Sequence, residues 1–290
     1  MSFPHFRSAL LAAGVSLLAA RGLAAQQQPS LEELRKKWMI AVPDVAAMAQ
    51  AQASFWRGAP GTSSGSPLAF GPNFRDAYIG GGYQANTRAV KNPRTGRYGP
   101  QGGNDASLSA GFGLGNSQDA VGLEVTVTSL SSFRSGLGDR TAFSFKAHRA
   151  LPGNAAIAVG VENAFIAGGG TTDGAVTTYV AASKVAVLPG SGNLFRAITF
   201  SAGVGNGRFR FEDDFNANKQ TVNAFGSAAL LVHPQFSAIA DWSGQDLALA
   251  ASIVPIKAFP IILTPALVDI TGTAGNGARF TLGAGIGMRF

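Results

Sequence analysis

Residues 279–290 constrain the fold more than any other stretch of the chain. From Ala278 they read ARFTLGAGIGMRF, with Phe280, Leu282, Ala284, Ile286, Met288 and Phe290 on one set of alternate positions. Thr281, Gly283, Gly285, Gly287 and Arg289 occupy the other. A period of two sends successive side chains to opposite faces, so this is a strand with one apolar face and one small or polar face. The pattern recurs upstream. Ala106, Leu108, Ala110, Phe112 and Leu114 oppose Ser107, Ser109, Gly111, Gly113 and Gly115, and Val121, Leu123, Val125 and Val127 oppose Gly122, Glu124, Thr126 and Thr128. Further copies lie at Ala155–Glu162, Ile198–Val204 and Leu247–Ile253.

A soluble sandwich also alternates, but its outer face carries long charged and Thr-rich side chains. Here the non-apolar face is mostly Gly, Ala, Ser and Thr, which suits the crowded interior of a closed barrel with its greasy face turned outward. Composition agrees: charged residues are only 13% of the chain, and there are 38 glycines, a poor coat for a water-facing surface. From Phe74 onward about twelve strand-like segments can be placed, each of roughly 8 to 13 residues, the reach a tilted strand needs to cross a bilayer. Connections alternate long (86–104, 131–139, 166–174, 206–220) with short (116–119, Pro152-Gly153, Pro189-Gly190, His233-Pro234), until Ser243-Gly244-Gln245 and 272–277 shorten the late outer loops. Tyr83, Phe195, Phe236, Trp242, Phe259 and Phe290 fall near strand ends, where interfacial aromatics belong.

With an aromatic at its last position and apolar residues two and four places earlier, the segment ending in Ile286, Met288 and Phe290 resembles the closing strand of bacterial outer-membrane β-barrel proteins. The resemblance implies recognition by the outer-membrane assembly machinery and contact with outer-membrane lipid and lipopolysaccharide. It covers the export signal and the barrel, and carries no functional residues with it.

The N-terminus supports export. His5 and Arg7 precede the apolar run Ala9–Ala20, and small residues follow to Ala25, the organisation of a cleaved secretory signal peptide spanning residues 1–25. The run is too short for a membrane-spanning helix. Removing it takes away Arg7 and Arg21 and no acid, so the net charge falls from +7 to +5. Export argues against nucleic acid as the partner of this cationic chain. Arg88, Lys91, Arg94 and Arg97 in the first long loop fit either anionic head groups or plain solvation. Cysteine is absent, which excludes disulfides and thiolate metal sites.

Residues 26–73 are expected to form a periplasmic helical segment and linker. Ser30 and Glu33 make a capping box for a first short helix ended by Pro43, and a second could run from Asp44 to about Trp56. These helices read equally as a functional element, either a barrel plug or a periplasmic docking helix, and as a loosely held periplasmic extension. Residues 57–73, rich in Gly, Ser and Pro, read as a linker into the first strand.

Inward register places Glu124, Lys146, Glu162 and Lys184 on four consecutive strands with alternating sign. They form either a charged constriction that selects solutes or an ion-pair belt that fills a narrow barrel. His148, Asp241 and Arg289 are further lumen candidates. Catalysis is not expected: the mature chain has only His148 and His233, Ser144 lies too far along its strand from His148, and no Ser, His and Asp set emerges. Glu212-Asp213-Asp214, after Arg208 and Arg210, could hold a divalent cation in an outer loop, but an ordinary solvated loop is the expected reading. No glycine run ends as a phosphate-binding loop does, so no cofactor is implied. The expectation is an all-β, transmembrane, antiparallel up-and-down barrel of about twelve strands over residues 74–290, following a short helical N-terminal segment. Its function is a porin-like channel for small solutes or, as the alternative, a closed structural or surface-binding barrel.

Overall fold

The computed structural model describes residues 59–89, 92, 94–168, 175–188, 195–256, 258–259 and 261–290. The expected signal peptide, capping box and N-terminal helices lie outside these residues. Twelve strands are present: β1 Asp76–Gln84, β2 Asp105–Gly115, β3 Gly122–Ser129, β4 Arg140–Leu151, β5 Ala155–Gly168 and β6 Thr177–Val187, then β7 Ala197–Gly205, β8 Asn223–His233, β9 Phe236–Trp242, β10 Leu247–Ile253, β11 Ile261–Val268 and β12 Arg279–Arg289. Each pairs antiparallel with its sequence neighbours, and β12 returns to β1, giving a closed barrel. The seam runs from Asp76 opposite Arg289 to Gln84 opposite Thr281. Closure removes every free strand edge.

The alternation read from sequence is the alternation of the wall. Phe112, Val159, Val180, Phe200 and Leu249 on the outside are each more than 40% exposed, while Ala156, Ala158, Ala181 and Ala229 face inward and are buried. An apolar exterior this continuous is not what water selects, since each Å² of it would be worth about 25 cal/mol if removed from water. Phe195, Phe236, Phe259 and Phe290 ring the rim that carries the short turns, with Tyr83 and Trp242 at the long-loop rim.

The inner face is glycine-rich for a packing reason. The Tyr78 ring lies against Gly111 of the neighbouring strand and the Tyr179 ring against Gly160, so close that a Cβ at either glycine would enter the ring. Phe209 and Phe225 lie similarly on Gly205 and Gly203. Inward aromatics from one strand thus roof the side-chain gaps of the next, as in aromatic rescue of sheet glycines. Tyr179, Phe209 and Phe225 form the aromatic centre of the interior, with Phe209 and Phe225 stacked at 4.2 Å and Tyr179 edge-on to both.

Among the described residues two connections carry short helices: α1 (Ser132–Ser135) after β3, and a 3-10 turn (Gly207–Phe209) followed by α2 (Glu212–Asn216) after β7. The second connection folds inward over the mouth. It buries Phe209 completely. Gly207 has a φ of 59° and packs against Thr177 of β6. The loop is clamped from two sides: Arg88 pairs with Glu212 and lies over the Phe215 ring at 5.3 Å, and Gln245 donates to the Arg210 carbonyl. Arg88, read from sequence as part of a basic loop that is either solvated or set against head groups, therefore faces the mouth instead. The carboxylates of 212–214 do not converge on a common point, because Glu212 takes Arg88 and Asp214 accepts from the Thr221 hydroxyl.

Candidate functional site in the barrel lumen

Residues 61–73, read from sequence as a linker, lie inside the barrel as a strap against its wall. The Gly61 N–H donates to Ser252 Oγ at 2.7 Å, and the Gly61 carbonyl accepts from Ser237 at 2.5 Å. Thr62 and Pro67 offer their carbonyls to Ser227 and Ser201 at 3.4 and 2.9 Å, and the Ala69 N–H donates to Ser183 at 2.8 Å. Beyond these, the Phe70 carbonyl takes Lys146 Nζ at 2.9 Å, the Pro72 carbonyl takes His148 Nε2 at 3.1 Å, and Asn73 Oδ1 takes the Ser117 N–H at 2.7 Å.

These contacts follow from what a buried, non-sheet backbone needs. Its N–H and C=O groups have no ladder partner, so side chains must supply one. One inward serine on each of β6, β7, β8, β9 and β10 does so: Ser183, Ser201, Ser227, Ser237 and Ser252 are all buried. Ser183, Ser201 and Ser227 are direct register partners in series, as are Ser237 and Ser252. Each neutral hydrogen bond contributes about 0.5–1.5 kcal/mol net, so the strap is held by many small terms. Glycine allows the closest approach: Gly113 has the Pro72 and Asn73 backbone where its Cβ would be.

The strap rises from the short-turn rim at Gly61, turns at Ser63–Ser66 and returns to that rim at Asn73. Its apex is gathered by one carboxylate. Asp241 of β9 accepts from the Ser63 hydroxyl (2.7 Å), the Ser64 and Gly65 N–H groups (2.9 and 3.0 Å), and the Ser66 N–H and hydroxyl (3.1 and 2.5 Å). The Gly65 carbonyl, on the other side of the turn, accepts from Arg208 Nη2 at 2.8 Å. The strap and the inward loop therefore meet.

Beside this meeting point is a cavity of about 320 Å³ lined by two ion pairs and several hydroxyls. Glu124 and Lys146 are register partners across β3 and β4, with Nζ 2.5 Å from Oε2. Tyr78 donates to Glu124 Oε1 at 2.6 Å. Glu162 of β5 is held by Arg208 through both Nε (2.5 Å) and Nη2 (3.0 Å), a bidentate pairing that fixes orientation as well as charge. A β-bulge re-aims the wall here: the β4–β5 register shifts between Phe143 and Phe145, and Asn163 takes a φ of 53° while its N–H donates to Ser144 at 3.0 Å.

The lumen candidates thus divide. Glu124, Lys146 and Glu162 come together around the cavity. His148 and Asp241 face inward but anchor the strap. Arg289 lies at the seam, bidentate to buried Asp76 at 2.5 and 3.1 Å. Lys184 does not face inward. In β6 the buried set is Thr177, Tyr179, Ala181 and Ser183, and Lys184 sits on the exposed set with Val180, donating to the Gly153 carbonyl at 3.0 Å. Next to Lys184 both faces of β6 are small (Ala181, Ala182 and Ser183), so the sequence parity is ambiguous there, and a lysine near a rim can reach polar surroundings from the outside face. Glu162 takes its partner from the inward loop instead. Arg208, Tyr78, Tyr179 and the five serines were missed. Their one available signal was a serine on the inward register of consecutive strands.

At the end of the chain, Met288 and Phe290 face outward at 44% and 67% exposure, and the Phe290 N–H donates to the Arg75 carbonyl at 3.0 Å.

The chain is thus an all-β protein of the twelve-stranded, closed antiparallel barrel class. No protein-family signature matches it, and no curated protein matches it by sequence. Among solved structures it is similar to an outer membrane channel from Pseudomonas putida F1, at 14% identity and a TM-score of 0.42, covering 76% of this chain and 97% of that one. It is also similar to the outer membrane protein Omp33 of Acinetobacter baumannii, at 9% identity and a TM-score of 0.38, covering 76% of this chain and 100% of that one. At these values neither supplies residues or an activity for this chain.

Proposed function

We propose that the chain is an exported outer-membrane barrel that passes small polar solutes through a lumen narrowed from one rim by the strap and from the other by the inward loop. The observation that carries this reading is the pairing of a continuous apolar exterior with a polar cavity inside, lined by Glu124–Lys146 and Glu162–Arg208. A barrel needed only as a scaffold could fill that space with apolar side chains, as it does around Phe209 and Phe225. In this reading residues 1–25 are cleaved on export, lipid and lipopolysaccharide meet the outer face, and the closing strand at Ile286, Met288 and Phe290 is read by the assembly machinery.

The test is reconstitution of the mature protein in planar bilayers, with discrete conductance steps expected. A second reading, a closed structural or surface-binding barrel, is favoured by one observation: the strap is bonded along its length rather than hanging free. Folded, heat-modifiable protein without conductance, which acquires it when residues 26–73 are deleted, would establish that second reading.

A further inference from the structure

The charges around the cavity are arranged to cancel. Its charged lining consists of Glu124, Lys146, Glu162 and Arg208, two acids and two bases. Each acid is paired within hydrogen-bond distance to a base, at 2.5 Å in both cases. The nearby carboxylate of Asp241 adds little to the space, because five donors of the strap apex turn it into the protein. An ion entering here finds no excess of opposite charge to replace its hydration shell, which is what rings of like charge supply in ion-selective pores.

What the cavity does offer is hydrogen bonding of both senses. Thr126, Ser144 and Asn163 line it. Tyr179 contributes a hydroxyl for which no hydrogen-bond partner is found among the described residues, on a ring held flat by Gly160 and edge-on to Phe209 and Phe225. Fixed donors and acceptors beside an aromatic face suit a solute with many hydroxyls and no net charge.

Resting on the channel reading above, we infer that the solute class is uncharged and polyhydroxylated, of the polyol or saccharide kind, and that Glu162–Arg208 is the residue pair that keeps the path free of ion preference. The pair is one member from the wall and one from the inward loop, so it can be unbalanced in either direction. In water-like surroundings an unpaired unit charge about 5 Å from a passing ion changes its local occupancy about fourfold, with opposite sign for the counter-ion, so the cation-to-anion ratio should move about sixteenfold.

The experiment measures reversal potentials of full-length mature protein in a KCl gradient, alongside swelling of liposomes in isotonic polyol, sugar acid and amino sugar of matched size. Wild type should show a reversal potential near zero and admit the uncharged solute faster than both charged ones. Arg208→Gln, leaving Glu162 bare, should become cation-preferring by about sixteenfold, and Glu162→Gln anion-preferring by a similar factor. The double variant should return to near zero, which separates charge from mere loosening of the strap through Arg208 and Gly65. Heat-modifiable mobility confirms that each variant is folded. Flux with strong ion preference in wild type, or shifts of the same sign in both single variants, overturns this inference and leaves the channel standing. Folded protein with no flux of any solute overturns both.

Discussion

Replacing Asp241 by Ala should release the strap apex without dismantling the strap. Asp241 gathers three backbone N–H groups and two hydroxyls from Ser63–Ser66. Hydrogen bonds to a charged acceptor are worth about 1.5–3 kcal/mol each, but water admitted to the lumen would replace part of every one. Allowing water to recover most of that total leaves a local loss of about 3 kcal/mol, close to a hundredfold change in the population of the undocked apex. The flanking anchors at Ser237, Ser252, Ser201 and Ser183 are untouched, so the effect stays local. Amide hydrogen exchange on protein in detergent or nanodiscs should show protection at Ser64, Gly65 and Ser66 falling about a hundredfold, while the β6–β8 amides stay protected. Single-channel records should show a larger or noisier open level. Asp241→Asn keeps the shape and one acceptor oxygen and should fall between. Unchanged exchange at all three amides in Asp241→Ala would refute the claim that this carboxylate holds the turn.

Further expectations follow from the packing. Phe209→Ala removes a fully buried ring stacked on Phe225 and should cost about 3–5 kcal/mol, seen as a lower midpoint for heat-induced loss of the folded electrophoretic form. Gly160→Val drives a side chain into the Tyr179 ring and should cost about 1–3 kcal/mol in urea titrations. Ser201→Ala removes its bonds to Pro67 and Ser183 and should cost about 0.5–1.5 kcal/mol per bond, with exchange rising at Ala69 as Ser183 loses its partner. Phe290→Ala should lower outer-membrane levels while leaving signal-peptide cleavage intact, and normal levels of that variant would remove its role in assembly.

The barrel was legible because a wall with an apolar outer face and tight packing inside forces a period of two, and β2, β3, β5, β7 and β10 fall where that period places them. Lys184 was misread for lack of the same contrast: with Ala181, Ala182 and Ser183 around it, neither face of β6 declares itself. The strap escaped for a different reason. Gly, Ser and Pro are what a linker contains, and they are also what a chain needs when wall side chains must reach its backbone, so composition alone cannot separate the two. Arg208 sits in a long loop near an acid cluster, where solvated charge is the ordinary expectation. Only the inward fold of that loop, driven by burial of Phe209, carries it to Glu162.

The strap also bears on how the ring comes to close. It precedes β1 in the chain and lies within the wall that β12 completes against β1, with Phe74 bonded to Gly115 at the point where strap becomes strand. It must therefore be laid down before the seam zips, or be pushed in afterwards as a hairpin past the short-turn rim. In the first case the early segment acts as a mandrel, and the serines of β6 to β10 gauge the circumference against it strand by strand. A ring one hairpin larger would leave those hydroxyls out of reach, so strand number in this protein is a property of what is enclosed as well as of the wall.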